Sequence, residues 1–306
     1  PYQLSRLEPG RAIFATANPH HRFWANSNSA PREVEWVIVS DETTALHLFE
    51  DHRLDLLMRV PAQELERMKK KANIRVDPFL ATYYLGFNTK LAPWNTSHAR
   101  KALTHAIDRS AIAGALGGGE RAAGGFVPPL LGGRTVAPMG ATTLAPFIGA
   151  REVELAYDTS ARNTMIAEIV QKNIQTGLGL KLRLSSSDWR AHLKRIQTAT
   201  HALFRFGWQA PFIDPISHLQ VFLSRSPNNL TGWQNAKYDQ LVGQIAGLPA
   251  GPARQEKIAA AEHLLLDEDA VVIPLYHYVQ IHGVSERIKN FRVNGLGAVL
   301  FTELSL

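Results

Sequence analysis

Cysteine is absent from this chain of 306 residues, so neither a disulfide framework nor thiolate chemistry is available to it. This absence is compatible with an oxidising and with a reducing compartment. No run of about 18 apolar residues occurs, so the sequence predicts no membrane-spanning helix. The first residues, PYQLSRLEPG, lack the basic and then apolar character of a leader, so we expect any signal peptide to lie outside this chain.

The common catalytic motifs are missing as well. The sequence contains no G-x-S-x-G elbow, no G-x-x-x-x-G-K-[ST] loop and no G-x-G-x-x-G after a predicted strand. Carboxylates are plentiful, but no pair of them is fixed by its spacing. These absences argue against an enzyme, and a hydrolase or peptidase acting on a small peptide-like substrate stays open as an alternative.

Clustered basic charge is also missing, although the net charge is +6 and the isoelectric point is near 9.6. The longest basic run is Lys69-Lys70-Lys71, at the end of a predicted surface helix over residues 61–71. In that position the three lysines complement the helix dipole and face solvent. The charge pattern therefore does not favour nucleic-acid binding, which needs a basic patch or stripe.

The first third of the chain alternates strand and helix signals. Residues 33–40 (EVEWVIVS) are dense in β-branched and aromatic residues and predict a buried strand. Asp41 is placed to cap a helix that runs to about residue 49. Short strands are expected at residues 54–58 and 74–76. This rhythm predicts a mixed sheet with helices packed against it.

The remainder of the chain continues in the same way. After a strand at residues 82–88, we expect one helix over residues 96–116 that ends at Gly117. Residues 117–149 are rich in glycine, proline and alanine and predict an ordered but irregular stretch. A strand at 153–157 then leads into a helix over 164–176 that Gly177 is expected to end. Further strands are predicted at 180–184, 202–208 and 271–280, and further helices at 188–196, 214–223, 235–248 and 254–267.

Three ordered segments identify a family. They read YLGFNT from residue 84, ARKALTHAIDR from residue 99, and GFVPP from residue 125. The segments FRFGWQAPFIDP, NNLTGWQNAKYDQLV and VIPLYHYV follow in the same order. Together they resemble the extracytoplasmic oligopeptide-binding proteins of ABC importers, a family that includes dipeptide and nickel binders.

The resemblance implies an α/β fold with two lobes, the type II clamshell of periplasmic binding proteins. One lobe would comprise residues 1–82 and 277–306, and the second residues 83–276. Strands at about 82–88 and 274–280 would cross between the lobes as a hinge. Members of the family usually have more than a hundred residues before the PY element, so the N-terminal part of the fold is expected to be absent from this chain. A fragment, a separate N-terminal chain and a reduced architecture are the three explanations.

The resemblance also implies a function and its partners. The chain would bind a peptide or peptide-like small solute between the lobes and deliver it to the membrane subunits of an ABC importer. No cofactor and no metal would be needed, and the location would be periplasmic or extracellular and membrane-anchored. A non-peptide ligand on the same fold, such as a sugar phosphate, an opine or a metal chelate, is an alternative.

One element departs from the family pattern. In GWxAD, the family's acidic residue takes the amino group of a bound peptide, and Pro211 stands at that position here. Asp214 follows three residues later, either as a helix cap or as a displaced anchor for an amine. Arg205 matches a basic position of the peptide binders and could fork onto a carboxylate or phosphate. Because an acid is missing and a base is kept, we expect an anionic or polar ligand rather than a free peptide amine.

Aromatic and histidine side chains complete the set of candidates. Trp208 is expected on a wall of the binding cleft, whereas Trp189 and Trp233 are interpreted as structural. Period-two alternation places Phe204, Phe206 and Trp208 on one face of their strand and Arg205 with Gly207 on the other. Of Tyr83 and Tyr84, one ring is expected in the core and one toward the ligand, and Tyr84 is the candidate. His277, between two tyrosines, is the histidine candidate, although a structural role is the interpretation favoured for it. The other histidines do not have metal-ligand spacing.

Overall fold

The computed structural model describes residues 1–25, 29–70, 73–135 and 152–306. Within these ranges there are ten strands: β1 (Tyr2–Glu8), β2 (Ala12–Ala17), β3 (Glu33–Val37), β4 (Leu56–Leu57), β5 (Asn73–Phe87), β6 (Arg121–Ala122), β7 (Glu152–Asp158), β8 (Lys181–Ser187), β9 (Leu203–Gln209) and β10 (Val272–Val284). The same ranges contain nine α-helices: α1 (Glu42–Glu50), α2 (Leu65–Met68), α3 (Ser97–Ala106), α4 (Arg109–Leu116), α5 (Ala161–Leu178), α6 (Trp189–Gln197), α7 (Ile216–Leu219), α8 (Ala236–Gly247) and α9 (Pro252–His263). None of these helices combines the length and the apolar character that crossing a membrane requires.

The chain forms two compact units. The first consists of Pro1–Phe79 and Val279–Leu306, and the second of Leu80–Tyr278. The chain passes from the first unit to the second within β5 and returns within β10, and these two strands are neighbours in one sheet. The role of these strands as a hinge between two lobes stays a prediction.

The first unit contains an antiparallel sheet in the order β1-β2-β3, in which Ala12 of β2 is paired with Glu8 of β1 and with Val37 of β3. The prediction of a buried strand at residues 33–40 is wrong in two respects. The strand ends at Val37, and Trp36 and Val37 are 38% and 41% exposed. The β-branched and aromatic residues of this segment indicate extended backbone, but burial of a strand depends on which other elements cover it. Nor do β3 and β5 share one mixed sheet, because β3 pairs with β2.

The core of the first unit lies under α1. As predicted, Asp41 caps this helix, and its carboxylate accepts a hydrogen bond from the Thr44 amide. The helix buries two apolar side chains in a cluster that also includes residues of β4, α2 and β10: Leu46, Phe49, Leu57, Val60, Leu65, Met68 and the partly buried Ile281. The helix predicted at residues 61–71 is α-helical only in α2, after a 3-10 turn at Ala62–Glu64, and Lys71 lies outside the described residues.

The sheet of the second unit runs in the order β10-β5-β9-β7-β8. β5 is antiparallel to β9, with Tyr84 opposite Phe206, and β7 is parallel to both β8 and β9. The strands predicted at 74–76 and 82–88 are one strand, β5, of 15 residues. Pro78 lies within it, because the fixed φ of proline is compatible with extended backbone.

The helix predicted over residues 96–116 is two helices. Thr96, the first residue of the predicted helix, caps α3, but Ile107 is extended and Asp108 starts α4 by accepting a hydrogen bond from the Ala111 amide. A second aspartate cap thus interrupts an apolar periodicity that continues across the break. Gly117 ends α4 with a φ of 67°, as predicted, because glycine adopts the left-handed conformation without a steric penalty.

Helix α5 covers the same side of the sheet as α3 and α4. It ends at Gly179, with a φ of 64°, and not at Gly177, which is an ordinary helical residue. The core between these elements is built from aliphatic and aromatic side chains that include Tyr83, Phe87, Trp94, Leu103, Ile112, Leu155, Ile166, Val170, Ile174, Leu182, Leu203 and Tyr276. Of the irregular stretch predicted at 117–149, residues 136–149 lie outside the described residues.

Candidate functional site

Strand β9 carries two of the candidate residues, Arg205 and Trp208, on its two faces. The guanidinium of Arg205 lies over the Tyr83 ring on one face, at 4.5 Å from its centroid. On the other face, the Phe206 ring packs against Tyr84 at a centroid distance of 6.0 Å. The alternation predicted from the sequence is therefore confirmed, and the sheet separates Arg205 from Trp208.

On its face of the sheet, Arg205 is engaged by two side chains. Its Nη1 donates a hydrogen bond to Oδ1 of Asp158 at 2.7 Å, and its Nη2 donates to Oη of Tyr278 at 3.1 Å. The side chains of Arg205 and Asp158 are 13% and 18% exposed. We refer to Arg205, Asp158, Tyr83 and Tyr278 as the Arg205 cluster.

The charges of the Arg205 cluster are balanced. Burial by itself would lower the pKa of Arg205, but the adjacent tyrosines and the Asp158 carboxylate raise it above its ordinary value. Arg205 therefore stays cationic, and Asp158 supplies the opposite charge at hydrogen-bond distance. A solute would meet an ion pair with both signs of charge rather than an isolated cation.

Asp158 is the residue that reading the sequence missed. It ends β7, which pairs in parallel with β9 at Leu155–Leu203 and Ala156–Phe204, and this register places Asp158 one position beyond the level of Arg205. The available signal was a carboxylate at the carboxyl end of a buried parallel strand, a common place for binding residues in α/β sheets. The pairing of β7 with β9 was needed to connect that signal with Arg205.

The opposite face of β9 presents a second surface, the aromatic face of Trp189, Phe206 and Trp208. Trp189 stacks on Phe206 with an interplanar angle of 28° and a centroid distance of 5.8 Å, yet it is 47% exposed. Trp208 is partly buried, and its Nε1 donates to the Ser217 carbonyl at 2.7 Å. The interpretation of Trp189 as a packing residue is incomplete, because nearly half of its side chain faces solvent. Trp233, by contrast, is buried as expected.

Tyr84 and His277 are both buried. Tyr84 is 1% exposed and packs edge-on against Phe126 and Phe222, while Tyr83 is also 1% exposed. Both rings are therefore buried, the one expected toward the ligand as well as the one expected in the core. His277 is 7% exposed, its Nδ1 lies 3.0 Å from Oγ1 of Thr82, and burial lowers its pKa to about 4. Contact of either residue with a solute stays a prediction.

Asp214 has two protein partners. Its Oδ1 accepts a hydrogen bond from the Ile216 amide at 2.8 Å, and both carboxylate oxygens lie 2.8 Å from Nη2 of Arg254. The first contact supports its interpretation as a residue that starts a helix. Pro211, at the position of the family acid, is exposed. Whether Asp214 also anchors an amine stays a prediction. In the described part of the chain, no group of three or more acidic or histidine side chains is placed to hold a metal ion.

Comparisons with known proteins identify relatives of this chain. The oligopeptide-binding protein OppA of Bacillus subtilis (strain 168) is 27% identical in an alignment of 329 residues. This alignment covers 98% of this chain and 59% of that protein. The periplasmic oligopeptide-binding protein OppA of Salmonella typhimurium is 27% identical over 303 residues, which cover 91% of this chain and 54% of that protein. The chain thus spans a little more than half the length of these relatives.

Among solved structures, HbpA2 from Haemophilus parasuis matches with a TM-score of 0.86 and 23% identity. The match covers all of this chain and 64% of that one, and it confirms the predicted solute-binding fold. Residues 1–229 match the family described as bacterial extracellular solute-binding proteins, family 5 Middle. Because this match extends over well more than half of the sequence, the chain belongs to the family 5 bacterial extracellular solute-binding proteins.

Proposed function

We propose that the chain is a solute-binding component of an ABC importer and that its solute is a peptide or a peptide-like small molecule. The observation that carries this proposal is the family match over residues 1–229, together with relatives that are named as oligopeptide-binding proteins. Delivery to the importer's membrane subunits and a periplasmic or surface-anchored location belong to the same proposal. So does the absence of catalysis, since these relatives are named as binding proteins.

Two surfaces of the second unit suit a peptide. The aromatic face offers Trp189 and Phe206 to apolar side chains, because an exposed stacked ring gives a large contact area that is already ordered. The Arg205 cluster offers a carboxylate to an ammonium group and a guanidinium to a carboxylate. We therefore propose Asp158 as an acidic partner for a free amine, in place of the acid that is missing at Pro211.

The first experiment titrates the chain with short peptides by isothermal titration calorimetry. Replacing Trp189 with alanine should weaken binding by about 2 kcal/mol, as is typical when an anchoring tryptophan is truncated. Leu130→Ala is the matched control, because Leu130 is also exposed, at 59%, and lies on neither proposed surface. Equal losses in the two variants, or no peptide binding up to millimolar concentration, would contradict the proposal.

A second experiment separates the charges. Each peptide is compared in free, N-acetylated and C-amidated forms, so that the affinity ratio reports a charge contact rather than general stability. If Asp158 holds the amine, Asp158→Asn should abolish the preference for free over acetylated peptide. A preference that persists in Asp158→Asn and disappears in Asp214→Asn would assign the anchor to Asp214. Arg205→Gln should likewise abolish any preference for free acid over amide.

A further inference from the structure

The second unit contains a basic pocket away from both surfaces considered above. Its volume is about 260 Å³, and its wall includes residues of α3, α4 and β10 and of the π-helical turn Leu264–Glu268 that follows α9. The charged and polar side chains that line it are Lys101, Thr104, His105, Arg109, Arg134 and Asp267. None of them belongs to the Arg205 cluster or to the aromatic face.

Arg109 is the unusual member of this pocket. Its Nε donates to the Pro274 carbonyl at 2.8 Å and its Nη1 to the Thr104 carbonyl at 3.4 Å, so its described partners are backbone atoms. It forms no ion pair with any aspartate or glutamate in the described ranges. The residues outside those ranges, 26–28, 71–72 and 136–151, include neither aspartate nor glutamate. No carboxylate side chain of this chain therefore neutralises Arg109.

The other charges of the pocket do not correct this imbalance. Asp267 is the one carboxylate among the described lining residues, and both of its oxygens face Arg134, at 2.6 and 3.3 Å. One of these oxygens also lies 2.9 Å from Nδ1 of His263. Arg109 and Lys101 therefore remain as two cations without a paired anion in the pocket wall.

The titration of neighbouring groups agrees with an excess of positive charge. Burial and the nearby Arg134 lower the pKa of Arg109 to about 10, which still leaves it charged at neutral pH. The pKa of His105 is lowered by burial and then by Arg109 and Lys101. An anion in the pocket would reverse these last two contributions.

We propose that this pocket binds a small oxyanion, a phosphate or carboxylate group held by Arg109 and Lys101 with Arg134 at its side. A planar guanidinium and an ammonium are the side chains best suited to such groups. The volume is slightly below the roughly 300–1,000 Å³ of pockets that enclose drug-sized ligands, which favours a small ion. This site is independent of the proposed peptide binding.

Titration of the 306-residue chain with inorganic phosphate tests the proposal. Binding is followed by calorimetry and by the shift of the thermal unfolding midpoint, at constant ionic strength maintained with sodium chloride. We expect saturable phosphate binding that Lys101→Gln weakens about tenfold, since one charge-assisted contact is lost. Lys172→Gln, which removes an exposed lysine on α5, should leave phosphate affinity unchanged.

A parallel titration with succinate separates the two sources of the anion. Tighter binding of phosphate assigns a phosphate site, and tighter binding of succinate assigns a carboxylate site. Saturation by neither anion overturns the proposal, as does an equal loss of affinity in Lys101→Gln and Lys172→Gln. Because Arg109→Gln removes a buried cation and two hydrogen bonds, it could unfold the protein, and the partly buried Lys101 gives the deciding variant. Nuclear magnetic resonance should independently show the pKa of His105 rising with phosphate, and an unchanged value contradicts the site.

Discussion

The buried histidine His218 should make the second unit sensitive to mild acid. Its side chain is fully buried, with its ring 5.6 Å from that of Phe126, and its Nδ1 lies 3.2 Å from Oγ of Ser217. Burial, followed by the nearby His277, lowers the pKa of His218 to about 3. The folded protein therefore holds this imidazole neutral over the whole neutral and mildly acidic range.

The direction of the effect follows from proton linkage. In the unfolded chain a histidine has a pKa of about 6.5, so the unfolded state binds a proton first as the pH falls. The stability that neutral His218 contributes is complete above that value and is lost progressively toward pH 3. Between about pH 8 and pH 5, this one group should cost about 2 kcal/mol of the free energy of unfolding.

His218→Leu isolates this contribution. Leucine is apolar and of similar volume, and Oγ of Ser217 keeps its hydrogen bond to the Asp214 carbonyl at 2.6 Å. Urea unfolding should show that the variant loses about 2 kcal/mol less than the parent between about pH 8 and pH 5. His98→Gln, which changes an exposed histidine of α3, should behave like the parent. Equal acid sensitivity of His218→Leu and the parent would refute the argument.

Two further predictions concern packing and buried hydrogen bonds. A Cβ at Gly86 would lie within 2.3 Å of the Phe204 ring, so Gly86→Ala should destabilise by about 1–3 kcal/mol. Gly114→Ala, which meets nothing within 4 Å on α4, should stabilise by about 0.5–1 kcal/mol, and equal urea midpoints for both variants would contradict this contrast. Glu262 accepts from the buried amides of residues 126 and 127 at 2.7 and 2.9 Å. Glu262→Ala should therefore cost about 2–5 kcal/mol in urea unfolding, and a loss under about 1 kcal/mol would show that the amides find other acceptors.

Local signals in the sequence predicted some ends of helices correctly. Capping by Asp41 and the left-handed Gly117 depend on contacts within a few residues, so the sequence contains the necessary information. The division of residues 96–116 into two helices was not predicted, because the apolar periodicity continues across Asp108. The prediction relied on this periodicity and not on the capping preference of Asp108.

Local sequence patterns predicted only part of the candidate site. Period-two alternation placed Arg205 correctly on β9, because alternation is a property of the strand itself. Asp158 lies 47 residues away along the chain, and its contact with Arg205 exists only through the pairing of β7 with β9. The exposure of Trp189 likewise depends on which neighbours cover α6, and no local pattern encodes that.

The passage of the chain through β5 and β10 has a consequence for the order of events during synthesis. The second unit is one continuous segment, Leu80–Tyr278, so all of its strands have been made before the last residues of the chain. The core around Leu46, in contrast, includes Ile281, and β4 pairs with Gly283 and Val284. Contacts between such distant residues form only after the intervening chain has been made. The second unit therefore has most of its residues available during synthesis before the first unit has the end of β10.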